Sequence, residues 1–96
     1  MAHYVRLISF TPEGKKDIRK YREGRREFLD AAGRLGVKVI AEYVTLGEID
    51  VVTILEAPDN STILKLSAQL GSTGRTNVRT LGAVPAEEFE KIADSI

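Results

Sequence analysis

The stretch that most constrains this chain is Ile49-Asp-Val-Val-Thr-Ile-Leu55. A half-buried antiparallel strand alternates apolar and polar residues, whereas this one is apolar almost throughout and must be covered on both faces. With 96 residues the chain makes one domain, spanning 1–96, and its helices suffice for one face of a sheet only. The other face needs a second sheet. A further copy of the same chain supplies it through a two-fold, isologous contact, so the expected partner is the chain itself, as a homodimer or a larger even-numbered oligomer.

The rest of the pattern fits around that strand. Tyr4-Val-Arg-Leu-Ile-Ser-Phe10 reads as a first strand, ended by Thr11 as N-cap and Pro12 at the first helical position. Ile18, Tyr21, Arg25, Phe28, Leu29, Ala32 and Leu35 share one face of a long helix closed by Gly36. Gly24 lies inside it and predicts a kink or break near residues 20–24. Val37 to Thr45 and Ile49 to Ala57 are two strands, and Leu46-Gly47-Glu48 between them is long enough only for a hairpin with positive φ at Gly47. Pro58-Asp-Asn-Ser61 opens a second helix with Ile63, Leu66, Ser67 and Leu70 inward, ended by Gly71-Ser-Thr-Gly74. Thr76 to Val84 is a fourth strand, and Pro85-Ala-Glu-Glu starts a short acidic helix carrying Phe89 and Ile92. The order is βαββαβ with an extra C-terminal helix. That is an α+β, ferredoxin-like fold with a four-stranded antiparallel sheet and helices on one side.

Charge and composition exclude several classes of function. Fourteen Lys and Arg balance fourteen Asp and Glu, unlike a domain whose surface is basic for nucleic acid. Residues 13–36 carry eight basic and five acidic side chains, and their interleaving describes a solvated helix face. No nucleic-acid partner is expected. The absence of cysteine removes disulfides, thiol nucleophiles and cysteine–zinc sites, and a single histidine removes sites needing two within a subunit. No apolar run approaches the ~20 residues of a membrane span, and the N-terminus lacks a signal-peptide pattern, so a cytoplasmic protein without a membrane contact is expected.

Asp50 is the most informative single residue, a carboxylate at the start of an apolar strand. In this fold it neighbours the strand carrying Arg6, while Arg79 flanks that strand from its other side. Together with Tyr43 these residues read as a carboxylate–guanidinium cluster that orients a small polar or anionic ligand. The alternative is a structural ion pair, or an aspartate satisfying the backbone of the Gly47 turn. His3 is the default acid–base candidate and a conceivable heme or metal ligand, against an uninvolved histidine at a strand end; no metal site is assigned. Tyr4 and Tyr21 read as core residues with hydroxyls at the rim. The loop Gly71-Ser-Thr-Gly-Arg-Thr76 has the composition of an anion cradle, but it follows a helix and reads as a C-cap turn.

The run Tyr43-Val-Thr-Leu-Gly-Glu-Ile-Asp-Val-Val-Thr-Ile-Leu-Glu-Ala-Pro-Asp59, followed by Leu70-Gly-Ser72, resembles the signature of the GYD-domain family. Ile49 stands where that family carries its namesake tyrosine, while Gly47 and Asp50 are kept. The resemblance implies membership of the dimeric α/β-barrel superfamily, whose members include cofactor-independent monooxygenases, heme-acting enzymes, isomerases and small-ligand sensors. It implies no particular cofactor. Three functions follow as expectations: binding of a small polar ligand, catalysis of a cofactor-free or heme-using kind, or a structural role in an assembly.

Overall fold

In the computed structural model, residues 1–71 and 73–96 are described. Strand β1 (Ala2–Phe10) leads into a short helix α1 (Pro12–Lys16), a single 3₁₀ turn at Ile18–Lys20 and helix α2 (Tyr21–Arg34). Strands β2 (Lys38–Val44) and β3 (Val51–Ala57) form the hairpin, and α3 (Asn60–Gly71), β4 (Thr76–Ala83) and α4 (Ala86–Asp94) complete the chain. The strands form one antiparallel sheet in the order β2-β3-β1-β4. This is the ferredoxin-like α+β arrangement expected from the element order.

Local chemistry explains the boundaries. The Thr11 hydroxyl accepts a hydrogen bond from the Gly14 N–H at 3.0 Å and Pro12 opens α1, as an N-cap and first-turn proline should. Asp59 caps α3, its carboxylate accepting from both the N–H and the hydroxyl of Thr62 at 2.9 and 2.7 Å. Those two bonds to the charged form hold the Asp59 carboxyl below its ordinary value. Gly36 and Gly47 have φ of 74° and 99°, the left-handed conformation that suits glycine. The break in the long helical segment falls at residues 17–20, ahead of Gly24, which lies within an unbroken α2. In α1, ahead of the break, Gly14 is pressed against the backbone of Arg75. A Cβ at position 14 would overlap the Arg75 carbonyl oxygen, and Thr11 N–H donates to that same carbonyl at 3.0 Å. The first helical turn is therefore tied to Arg75, just ahead of β4.

Burial along β3 alternates strictly. Val51, Thr53, Leu55 and Ala57 are buried, and Val52, Ile54 and Glu56 are only half-buried. On β1, Tyr4, Arg6 and Ile8 are buried in the same way. The buried set packs against Phe28, Ala31 and Ala32 of α2 and Ile63 and Leu66 of α3. Burying each such large side chain contributes roughly 1.5–3 kcal/mol. The helices thus cover one face, as expected, and leave Val5, Leu7, Val52, Ile54 and Leu81 on the other. α4 has no buried residue, and its Phe89 is 57% exposed.

Candidate functional site

The site grows out of the sheet face that the helices cover. Arg6 stands in the middle of β1, opposite Thr53 of β3 and Thr80 of β4, and strand alternation sends its side chain beneath α2. It is 3% exposed. Its guanidinium lies over the Phe28 ring, 4.9 Å from the centroid, a cation–π contact that offsets only part of the cost of burying a charge. Among the described residues its Nε has no hydrogen-bond partner. Burial lowers the Arg6 pKa, and the negative charge of Glu42 acts the other way.

Glu42 comes from β2, in register with Thr53. Its carboxylate accepts from Arg25 Nε at 2.5 Å and from the Thr53 hydroxyl at 3.1 Å. Arg25 and Thr53 thus each bond one of its oxygens, while its charge still acts on Arg6. Tyr21, on the first turn of α2, has its hydroxyl pKa raised by burial and by Glu42, with Arg25 opposing. Its ring meets Phe10 edge-on at 6.4 Å between centroids.

These groups line a cavity of about 140 Å³ between the sheet and the segment from α1 to α2. Ile8, Phe10, Phe28 and Val51 give it apolar walls, and Gly24 leaves one side free of a side chain. Arg75, also at its edge, lies 3.8 Å from Asp17. What the arrangement can do chemically is hold a small anion on Arg6 against a largely apolar wall.

Of the four residues expected to cluster, the structure puts only Arg6 in this cavity. Arg79 is in register with Leu7, the neighbour of Arg6, and so lies on the opposite face and exposed. Tyr43 pairs with Val52 on that same face and is 63% exposed. Arg79 there borders a separate hollow with Leu7, Ser9, Glu48, Ile49 and Asn77. Asp50 immediately precedes β3, and its carboxylate accepts from the Phe10 N–H at 2.8 Å. Its backbone N–H donates to Ile8 O and its carbonyl accepts from Thr45 N–H, both at 2.8 Å. Asp50 therefore stitches the end of β1 to the hairpin. His3 is bonded through Nε2 to Glu56 at 3.0 Å, and Tyr4 is a core residue whose hydroxyl donates to Asn60 at 2.5 Å. Ser72 lies outside the described residues. Among those described, no group of His, Asp and Glu is placed to hold a metal ion, and no helix is long and apolar enough to cross a membrane.

Comparison with known proteins settles the lineage. The sequence model of the GYD domain matches residues 4–93. The chain belongs to the GYD-domain family. This GYD protein is also similar, at 32% identity over 90 residues, to a Thermus thermophilus protein named as a glutamine synthetase and cystathionine beta-lyase binding protein; the match covers 93% of this chain and 95% of that relative. Two solved structures share the fold of the GYD protein. The crystal structure of FFRP-DM1 superimposes with a TM-score of 0.61 at 17% identity, covering 88% of this chain and 100% of that one. That of MtbAldR gives 0.61 at 13% identity, covering 88% of this chain and 52% of that one.

Proposed function

We propose that this GYD protein binds a small anionic ligand and works as a homodimer or even-numbered oligomer. A single observation carries the reading: Arg6 is buried with an unpartnered Nε at the wall of an open cavity. A buried guanidinium whose donors lack a hydrogen-bonded carboxylate is costly, even with the Glu42 charge nearby. A position needed only for packing would be filled more cheaply by methionine or leucine. The charge is accounted for if an anion completes it.

The dimer is supported by the uncovered sheet face. Val5, Leu7, Val52 and Ile54 are half-buried there, and Leu81 is 50% exposed. A second sheet packed on this face would cover the apolar surface at the usual spacing of about 10 Å. In this reading Arg6 contacts the ligand, Tyr43 and Arg79 serve the subunit contact, and Asp50 keeps the hairpin closed.

Native mass spectrometry of gently purified protein tests both parts. The expected result is an even-numbered assembly carrying a small, releasable mass, with Arg6→Met retaining the assembly and losing the mass. A monomer contradicts the dimer. A wild-type protein that carries no adduct and responds to no anion in a thermal-shift screen contradicts the ligand.

The name of the Thermus relative favours a second reading, in which the chain binds a metabolic enzyme such as glutamine synthetase. The projecting α4, with Phe89 and Ile92 exposed beside Glu87, Glu88 and Glu90, is the surface that suits it. Interferometry against purified glutamine synthetase tests it: binding lost on Phe89→Glu supports the reading, and no binding at micromolar concentration removes it.

A further inference from the structure

We infer that the ligand of the Arg6 cavity is a monocarboxylate whose apolar body is about the size of one six-membered ring. This inference rests on the anion-binding reading above and narrows it to a chemical class. Three observations lead there.

The first is the charge balance. The cavity is lined by Arg6, Lys20, Arg25 and Arg75 against Asp17, Glu27 and Glu42, an excess of one positive charge. Arg25 is held by Glu42 and Arg75 lies near Asp17, while Lys20 is exposed. The buried positive charge without a hydrogen-bonded carboxylate is Arg6, on which Glu42 acts only through space. One such guanidinium, with three carboxylates in the same lining, matches a single negative charge. A phosphate dianion would bring a second charge with nothing buried to neutralise it.

The second is shape. The Arg6 guanidinium is held over the Phe28 ring, so the N–H groups turned away from the ring are the donors left for a ligand. A planar carboxylate approaching in the plane of the guanidinium takes two parallel hydrogen bonds.

The third is size and wall chemistry. The cavity volume is about 140 Å³, close to the roughly 150 Å³ of an apolar cavity known to take up benzene. Ile8, Phe10, Phe28 and Val51 supply the apolar surface for such a body.

The test uses the full-length protein with an isotope label, because the Arg6 Nε–H gives its own proton–nitrogen signal. Benzoate is the probe, with benzamide as its neutral, equally shaped control and inorganic phosphate as the hydrophilic anion. Benzoate is expected to shift the Arg6 Nε–H and the Phe28 ring signals saturably, at an affinity at least about tenfold above that of benzamide, the margin of a charge-assisted pair. Arg6→Lys should weaken benzoate binding and Arg6→Met abolish it. Equal binding of benzoate and benzamide overturns the carboxylate assignment and leaves a ligand cavity standing. Phosphate binding without benzoate overturns the assignment and leaves an anion site. Silence of the Arg6 signal towards both anions overturns the assignment and the anion-binding reading together.

Discussion

The two faces of the sheet are made by the same strands and differ in what they bury. On the helix-covered face, Leu55, Thr53 and Ala57 have no exposure at all, yet a charged arginine sits among them. On the other face the side chains Val5, Leu7, Val52 and Ile54 are apolar, but they remain half open to solvent. The closed face thus holds the costly polar group and the open face holds the surface that is cheap to bury. Stability alone would arrange them the other way round. The proposed function rests on this difference, with a ligand on the closed face and a second subunit on the open one.

The largest effects are expected at a pair of neighbours on β3 that point to opposite faces. Leu55→Ala should cost about 3 kcal/mol of unfolding free energy, since it empties a fully buried site. Ile54→Asp should leave each subunit folded but remove the assembly. Chemical denaturation with sedimentation velocity separates the two, and a folded, unchanged dimer for Ile54→Asp would remove the open face from the interface. Next in size is Gly14→Ala, whose new Cβ would meet the Arg75 carbonyl oxygen. A backbone obstacle cannot swing aside, so a loss of about 1–3 kcal/mol is expected in a urea melt, the usual range for overpacking. The smallest effect belongs to the Asp59 cap, on the exposed rim of the closed face. Its folded pKa lies below the ordinary carboxylate value because Thr62 donates to the charged form. Its contribution is therefore fully present above the unfolded carboxyl's pKa and is lost as pH falls through the lower, folded one. Carbon-detected titration should place the Asp59 pKa below 3.8 in the native protein, and Thr62→Val should return it towards that value.

Much of the fold was legible because the signals are local. The capping Thr11, the positive-φ glycines 36 and 47, and the two-sided apolarity of β3 each act within a few residues. The site was legible only in part, because it depends on strand phase. Arg6 stood out as a charge in an apolar strand. Arg79 also did, but a strand's side chains alternate with period two, and pairing Arg79 with Leu7 instead of Arg6 sends it to the opposite face. Glu42 was missed for a related reason. The β2–β3 register shifts between Val39 and Ala41, a bulge that resets which residues of β2 face the helices. Without that bulge visible, the alternation in Val39-Ile40-Ala41-Glu42-Tyr43 gives no phase. The helix break was expected near residues 20–24, around Gly24, but falls at 17–20. Gly24 instead leaves room beside the cavity, a role that helix propensity does not reveal.

On the proposed function, Arg6 serves a ligand and burdens the fold. The most direct test is the thermal midpoint of Arg6→Met against the wild type, both freed of small molecules by denaturation and refolding. Methionine fills a similar volume without a charge to desolvate. The expected midpoint equals or exceeds that of the wild type, together with loss of benzoate binding. A fall of roughly 10 °C, corresponding to about 2 kcal/mol for a domain of this size, would show that Arg6 holds the core together and would contradict the proposed function.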